Sequence, residues 1–289
     1  MITEDSEFYP ELLRMIKGRP KRLYYSGNLE LLKTRCVSVV GSRTTTAYGR
    51  NTAKAIGAFL GRSGMTVVSG MAAGIDSCAH EGALGVEGNT IAVLGCGPDI
   101  CYPKENLSLM QRIKRKGLII SESGPGTEPM PYSFPQRNRI ISGLSELTVV
   151  IQARNRSGAL ITAELAAEQG REICAVPGNI DSQYNLGTNK LILEGATPLI
   201  RVDDLRDILG IGTEKAEVAF ANLTPLERRI YEALNEGGEM SADELCIGLE
   251  DTPQRIAPAL SVLEIKGILC SASGKFFLQT DNNANIIGY

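Results

Sequence analysis

The sequence predicts an α/β protein: an extended Rossmann-like domain with a doubly wound, mostly parallel sheet, followed by a small C-terminal winged-helix domain. Two observations carry this prediction. Short runs that are apolar on both faces alternate with amphipathic segments, which is typical of βαβ units around a buried parallel sheet. After residue 222 the order changes to three helical stretches and two short strands around a Ser-Gly turn, which is the element order of a winged helix.

The individual elements follow from these patterns. Seven apolar runs are predicted to be strands of the large sheet: 37–40, 66–69, 90–94, 118–121, 147–152, 173–176 and 197–200. Helical patterns lie between most of them, at 48–62, 72–84, 107–116, 158–169 and 189–194. In the C-terminal part, Thr224, Pro225 and Glu227 have the spacing of a capping box with proline in the first turn. Two further helices are predicted there, at 241–249 and 252–266.

We therefore expect four segments along the chain. Residues 1–35 are predicted to be an N-terminal extension and residues 36–205 the Rossmann-like domain. Residues 206–221 have mixed polarity and two glycines, which favours a linker, and residues 222–289 are predicted to be the winged helix.

The charge balance excludes a global attraction to nucleic acid. The net charge is −3 and the pI is about 5.5, so a site for a polyanion has to be local. From Asn222 to Tyr289 there are ten acidic and five basic residues, a balance of −5, whereas the preceding residues balance at +2. A winged helix that reads duplex DNA is expected to be basic, so we predict a protein-contact or regulatory role for this one.

Composition also bears on compartment and cofactors. No uninterrupted apolar run approaches membrane-spanning length, and residues 1–20 are too polar and charged for a secretory signal, so no membrane partner is expected. The seven scattered cysteines fit a reduced cytoplasm better than a disulfide framework or a zinc site. The loop at Gly41 lacks the G-x-G-x-x-G pattern of a dinucleotide site, and we predict no cofactor and no metal.

Cations recur in the loops that follow the predicted strands. Four of these loops carry Arg or Lys where a helix is expected to start, namely Arg43, Arg137 with Arg139, Arg154 with Arg156, and Lys190. Since ligands bind outside the carboxyl ends of strands in an open parallel sheet, these side chains predict an anion-binding groove. Paired carboxylates, a metal cluster and a catalytic triad are absent from the pattern, so we expect a binding protein and not an enzyme.

The stretch "SFPQRNRIIS" indicates which class of anion the groove binds. Adjacent Arg side chains at a helix start are electrostatically unfavourable unless an anion is bound there. Phe134 beside Arg137 and Arg139 fits single-stranded nucleic acid, because cations hold phosphates and the ring stacks on a base. The alternative is that Phe134 fills the core and the Arg side chains pair with Glu122 or Glu128.

Two further features have an ordinary structural interpretation. His80, which is the only histidine, lies four residues after Asp76 in a helical pattern and has no companion nucleophile, so we predict a packing residue. Residues 14–22, "RMIKGRPKR", contain five cations, and such a run is usually a solvated face.

Taken together, the loops resemble the DprA/Smf family of bacterial DNA-processing proteins. The resemblance is carried by "VGSR", "SGMAAGIDSCAHEGAL", "GCGPDICYP", "SFPQRNRIISGLS", "SGALITAELAAEQGRE" and "VPGNIDSQYNLGTNKLI", in this order over most of residues 9–200. It implies an extended Rossmann domain that binds single-stranded DNA, dimerises and loads the RecA recombinase during natural transformation. It also implies that single-strand binding protein is displaced and that the incoming strand is protected.

The resemblance also implies a set of site residues. Its DNA pocket corresponds here to Arg43, Phe134, Arg137, Asn138, Arg139 and Lys190. The loops add hydroxyl groups, backbone N–H groups and one further cation that are suited to a phosphate, at Gly41, Ser42, Arg156 and Ser157. These ten residues form the predicted DNA-binding set.

Two points stay open. Many family members begin with a small helical domain that this sequence does not show, so we expect a short variant or a truncated form. The architecture is also similar to nucleotide phosphoribohydrolases, whose Pro-Gly-Gly-x-Gly-Thr loop precedes a glutamate. Here "RSGALITAE" keeps Glu164 but lacks the glycines that wrap a phosphate, and base release abolished in Glu164→Gln would favour that enzyme.

Overall fold

The computed structural model describes residues 1–211, 223–266, 268–272 and 274–278. They fall into two compact units, residues 1–211 and the described residues from 223 to 278, and each unit is described by itself. Most of the expected linker therefore lies outside the described residues.

The first unit is built on a nine-stranded sheet with the order β1-β2-β6-β5-β4-β3-β7-β8-β9. Its strands are β1 Ile2–Thr3, β2 Arg22–Gly27, β3 Cys36–Val40, β4 Thr66–Ser69, β5 Thr90–Leu94, β6 Leu118–Ser121, β7 Leu147–Val150, β8 Glu172–Ala175 and β9 Thr197–Pro198. Its α-helices are α1 Glu11–Arg14, α2 Ala47–Arg62, α3 Ile75–Gly85, α4 Leu107–Lys116, α5 Ser133–Gly143, α6 Gly158–Glu168, α7 Leu186–Leu193 and α8 Leu205–Ile208. The seven strands from β3 to β9 are mutually parallel, which confirms the predicted α/β class with a mostly parallel, Rossmann-like sheet.

The apolar patterning explains why these strands are central. All residues of β3, β4, β5, β6 and β7 are buried, because helices cover both faces of the sheet. One face packs against α1 and α5, and near β5 and β6 the other face packs against α4. Polar side chains inside the sheet bond to each other, as Ser38 Oγ does with Thr148 Oγ1 at 2.8 Å.

Residues 1–35 belong to the same compact unit as the parallel sheet. Strand β2 pairs antiparallel with β6, and β1 pairs antiparallel with β2. Leu13, Ile16 and Leu23 are buried in the same core cluster as Ile140 of α5. The segment expected to be an extension therefore closes one edge of the sheet and covers part of its core.

The strand order reverses between β3 and β7. The chain runs outward from β3 through β4 and β5 to β6, then returns to place β7 on the other side of β3. The loops after β3 and β7 consequently diverge and leave a crevice at the carboxyl ends of these strands.

The described residues of the second unit contain three helices and three short strands. The helices are Pro225–Gly237, Ala242–Gly248 and Pro253–Ile265, and the strands are β10 Met240–Ser241, β11 Leu269–Ala272 and β12 Lys275–Leu278. The strands form an antiparallel sheet in the order β10-β12-β11. Thr224 and Glu227 form the expected capping box, and Glu227 also pairs with Lys266 at 2.9 Å.

Within the described ranges, no helix combines the length and the apolar character that crossing a bilayer requires.

The contact between α2 and α3 depends on glycine. A Cβ at Gly82 would fall within 3 Å of the Lys54 backbone of α2, whereas a Cβ at Gly85, on the same helix, would meet open space. We predict that Gly82→Ala lowers the free energy of unfolding by about 1–3 kcal/mol through overpacking. Gly85→Ala is the matched control and leaves stability unchanged or slightly raised, since alanine favours a helix. Urea denaturation followed by circular dichroism measures both, and equal effects would show that the close helix contact does not limit side-chain size.

Candidate functional site

A pocket of about 620 Å³ lies at the carboxyl ends of β3 to β7, at the crevice where the strand order reverses. It receives side chains from the loops after β3, β4, β5, β6 and β7 and from the first turns of α5 and α6. Its lining includes Gly41, Ser42, Arg43, Asp76, Tyr102, Phe134, Arg137, Asn138, Arg154, Arg156 and Ser157. Eight of the ten predicted site residues are among them. Its volume lies in the range of small-ligand pockets, so it has room for a nucleotide-sized group.

The loop after β3 is held by Gln152, which follows β7. The Gln152 Oε1 atom accepts from Thr45 Oγ1 at 2.6 Å and from Thr46 N at 3.1 Å. Thr46 caps α2, and the Ser42 backbone N–H donates to Gln152 O at 2.7 Å. The loop that presents Arg43 is thereby fixed to the neighbouring strand, so its backbone geometry is set before any ligand binds.

Arg137 lies at the base of the pocket and ties its loops together. Its side chain is only 6% exposed, and Nη1 donates to Gly70 O at 2.7 Å and to Val93 O. A side chain at Gly70 would occupy the space of the guanidinium, so glycine is required there. Burial lowers the pKa of Arg137 to about 10, opposed by the charge of Asp76. The Arg137 Nε atom has no hydrogen-bond partner among the described residues.

Asp76, at the start of α3, supplies the counter-charge. Its carboxylate accepts from the Gly70 backbone N–H at 3.1 Å. Burial raises the pKa of this carboxyl, and the nearby Arg137 guanidinium opposes the rise. The pair keeps the base of the pocket polar without exposing a free carboxylate to an incoming anion.

An aromatic and cationic cluster forms one wall. The Arg43 guanidinium lies over the Phe134 ring, 5.2 Å from its centroid, and the Tyr102 ring lies 5.2 Å from Phe134 with an interplanar angle of 34°. Arg43 and Tyr102 are exposed and Phe134 is half-buried. Exposed aromatic faces beside a cation provide a stacking surface for a planar ligand.

The opposite wall carries two more cations at the start of α6. Arg154 lies over the Tyr184 ring at 4.6 Å, and Arg156 is exposed. Ser157 caps α6 by accepting from Ala159 N at 3.3 Å. Arg43, Arg154 and Arg156 form no ion pair with any residue in the described parts of the chain, so their charge is available to an anion beside a helix N-terminus.

The geometry of "SFPQRNRIIS" differs from the expectation. Helix α5 begins at Ser133, with Pro135 in its first turn, so Arg137 and Arg139 lie in the second turn and not at the helix start. Their charge therefore does not oppose the N-terminal dipole. Asn138 lines the pocket and its Nδ2 atom donates to Gly158 O at 3.3 Å, which links α5 to α6.

Arg139 lies outside the pocket lining. Its Nη2 atom donates to both oxygens of Glu122, at 2.9 and 2.7 Å, and its Nε atom donates to Gly18 O at 2.9 Å. This is the pairing that the alternative interpretation of the stretch named. The physical reason is helical phase, because successive residues of α5 point in different directions. The α5 residues that reach the pocket are Phe134, Pro135, Arg137, Asn138 and Ile141.

Lys190 also lies outside the pocket lining. It is in the last turn of α7, it is exposed, and it pairs with Glu194 at 3.4 Å. Helix α7 begins at Leu186, three residues before the predicted helix start at 189, so Lys190 does not open the helix as expected.

The structure adds site residues that the sequence did not single out. Tyr102 comes from the loop "GCGPDICYP", which was noted as a family motif without a role, and Asp76 was noted only for its spacing from His80. Gln152 was predicted only as the last residue of the strand 147–152. Only the three-dimensional arrangement brings these residues to the same pocket.

His80 and Glu164 stand apart from the pocket. His80 is fully buried, and its Nδ1 atom contacts Thr90 Oγ1 at 2.6 Å. Glu164 is exposed on α6 and does not line the pocket. No group of three or more potential metal ligands occurs among the described residues.

Comparisons with known proteins identify the family. A family model described as DNA recombination-mediator protein A matches residues 1–210. The chain belongs to this family. The DNA processing protein DprA of Bacillus subtilis is 41% identical over 201 residues, which are 69% of this chain and 68% of that protein.

Two solved structures of the family share the fold. DNA processing protein A from Streptococcus pneumoniae has a TM-score of 0.68 at 42% identity, covering 71% of this chain and 72% of that one. DNA processing protein A from Helicobacter pylori has a TM-score of 0.65 at 32% identity, covering 69% of this chain and 92% of that one, and its structure is described as showing a single-stranded DNA binding mode. Against full-length sequences, the match spans 66% of the Streptococcus pneumoniae protein.

The role of Arg137 can be tested by stability. We predict that Arg137→Met lowers the free energy of unfolding by about 1–3 kcal/mol, because two buried carbonyl groups lose their donor. Arg156→Gln, an exposed change of the same charge in the same pocket, stays within about 0.5 kcal/mol of the wild type. Chemical denaturation of the three proteins measures this, and an unchanged midpoint for Arg137→Met would contradict the bracing role.

His80 predicts an acid dependence of stability. Burial lowers the pKa of His80 to about 3, so between that value and the unfolded value of about 6.5 the unfolded state binds one more proton than the folded state. Stability is therefore retained above pH 6.5 and lost as the pH falls toward 3. From pH 7 to pH 5 this group costs about 2 kcal/mol. His80→Met removes this contribution, so the variant should lose less unfolding free energy than the wild type between pH 7 and pH 5. Denaturation curves of both proteins at the two pH values measure this difference. Equal losses in the two proteins would contradict the prediction.

Proposed function

We propose that the pocket binds single-stranded DNA and that the protein acts, without catalysing a reaction, as a recombination mediator. The observation that carries this proposal is the wall in which Arg43 lies over Phe134 beside Tyr102. Proteins that hold single strands combine cations for the backbone with aromatic faces for the bases. The pocket has both, within one crevice at the carboxyl ends of the parallel strands.

The phosphate-binding part consists of Arg43, Arg154 and Arg156 with the N-terminus of α6. These cations have no ion-pair partner in the described ranges, and Gly158 presents the first N–H group of a helix of eleven residues. An anion between the two walls gains from both the side-chain charges and the helix terminus. Gly41 and Ser42 keep the facing loop small enough for a close approach.

The base-binding part is the half-buried Phe134. The ring belongs to the first turn of α5, and Tyr102 and Arg43 lie against it. Stacking on such a ring tolerates every base, and phosphate contacts carry little sequence information, so we expect slight sequence preference. The single-strand binding described for the Helicobacter pylori relative supports the same ligand here.

The wider role is proposed from the family. As a recombination mediator, the protein is proposed to protect incoming DNA and to load RecA in natural transformation. In doing so it is proposed to displace single-strand binding protein from the strand. We propose that it acts in the cytoplasm, in keeping with its seven free cysteines. A homodimer is also proposed, since Leu193 and Ile200 are 87% and 69% exposed near the edge strand β9.

The second unit is proposed to contact protein and not duplex DNA. The alternative enzyme, a nucleotide phosphoribohydrolase, would need Glu164 at the bound nucleotide. The exposed position of Glu164 on α6, outside the pocket lining, does not favour it.

Binding of a short labelled single strand and of its duplex, measured by fluorescence anisotropy over a salt series, tests the proposal. We predict a preference for the single strand and a steep salt dependence. Phe134→Ala weakens binding by about 1–3 kcal/mol because a stacked base loses its partner. Arg43→Gln lowers the slope of log K against log salt by about 0.7, the value for one lost phosphate contact on a single strand.

Arg115→Gln provides the control of equal charge on α4, outside the pocket lining, and leaves binding to a short strand unchanged. Lys190→Gln measures whether the site extends beyond the pocket to α7. Equal binding of strand and duplex, or affinity indifferent to both Phe134 and Arg43, would contradict the proposal.

A further inference from the structure

The segment 14–22 is a fixed basic surface. Of its five cations, Arg19 pairs with Glu4 at 2.8 Å and Arg14 donates to Glu4 O at 2.7 Å. The remaining three, Lys17, Lys21 and Arg22, are exposed and form no ion pair within the ranges that the structure describes. In an ordinary solvated charge run the cations are compensated by neighbouring carboxylates or the segment is loosely held, and neither holds for Lys17, Lys21 and Arg22.

The backbone of the segment is anchored at several points. The buried Tyr9 hydroxyl donates to Pro20 O at 2.6 Å, and Leu13 and Ile16 are buried. Ile16 packs so closely on Gly143 of α5 that a Cβ there would lie 2.9 Å from its Cδ1 atom. At Arg22 the chain enters β2 and joins the sheet. The three free cations are therefore presented by a rigid segment, which reduces the entropy lost on binding a polyanion.

The segment is attached to the helix that forms a wall of the pocket. Arg139 of α5 donates to Gly18 O at 2.9 Å, in the middle of the basic run, and is itself neutralised by Glu122. Phe134, which lines the pocket, lies five residues earlier on α5, a distance of about 7 Å along the helix axis. Arg139 is thus a positioning residue that joins the basic segment to the pocket-bearing helix.

We propose that Lys17, Lys21 and Arg22 form a second contact for the same single strand, which leaves the pocket across α5 and continues along residues 14–22. This inference rests on the proposed function of the pocket. It assigns a polyanion-binding surface to a segment that contributes no residue to the pocket lining. A strand long enough to extend past α5 gains these phosphate contacts, whereas a strand that only fills the pocket does not.

The test compares oligothymidylates of about 4 and about 16 nucleotides, the span of site sizes for single-strand binding folds. The variant Lys17→Gln with Lys21→Gln and Arg22→Gln removes the free cations and keeps most of each side-chain stem. We expect its affinity for the long strand to fall about ten- to hundredfold at about 0.1 M salt, with a salt slope lower by about 2. Its affinity for the short strand stays within about twofold of the wild type, because no pocket residue changes.

A matched control removes three cations elsewhere. Lys114, Arg115 and Lys116 end α4, which packs on the face of the sheet opposite to α1 and α5. Changing these three to Gln alters the net charge equally and should leave the salt slope for the long strand at its wild-type value. A loss equal to that of the 17/21/22 variant would assign the effect to net charge and overturn the proposal.

The outcomes separate the two proposals. If neither strand binds the wild type, or Phe134→Ala has no effect on the short strand, the pocket itself is not the DNA site. If the short strand binds through Phe134 but the 17/21/22 variant retains wild-type affinity and slope for the long strand, the second contact is wrong and the pocket stands. Circular dichroism confirms that each variant is folded, as expected for exposed positions.

Discussion

The buried guanidinium of Arg137 is the constraint on which the pocket depends. It donates to carbonyl groups of the Gly70 turn after β4 and of Val93 in β5, so one side chain from α5 joins two strand ends. Burying an arginine is costly, and the counter-charge of Asp76 and the two carbonyl acceptors offset that cost. With Arg137 in place, the first turn of α5 is fixed above the crevice and Phe134 faces Arg43.

The cations near the pocket therefore divide into structural ones and ones that are available to a ligand. Arg137 holds the base of the pocket and Arg139 holds the segment before β2, and each donates hydrogen bonds to other parts of the protein. Arg43, Arg154 and Arg156 at the rim remain unpaired in the described ranges. A rigid base with open charges at the rim suits a ligand that is recognised by its backbone and stacked by its bases, which agrees with membership in a family of recombination mediators.

The sequence predicted the parallel sheet because its strands are apolar on both faces. The limits of β4, β5 and β6 agree with the predicted runs, since turns rich in glycine and serine bound them. Strand β2 was missed because "RLYYSG" is half exposed at the antiparallel edge and carries no continuous apolar run.

Eight of the ten predicted residues line the pocket, since a cation after a buried strand can be recognised in the sequence. The direction in which each side chain points could not be predicted. The start of α5 was placed too late, because proline and glycine before it suggested a longer loop, although proline is tolerated in a first helical turn. The acceptors of Arg137 lie 67 and 44 residues away in the chain, and no local pattern reports such contacts.

The most direct test of the account is to locate a bound strand on the protein. A short oligothymidylate that carries a photoreactive 5-iodouracil can be cross-linked to the full chain and the adduct mapped by mass spectrometry. We predict the adduct on Phe134 or Tyr102, because these rings are the stacking surfaces of the pocket. Adducts confined to residues 223–278, with none on the peptides of either ring, would contradict it.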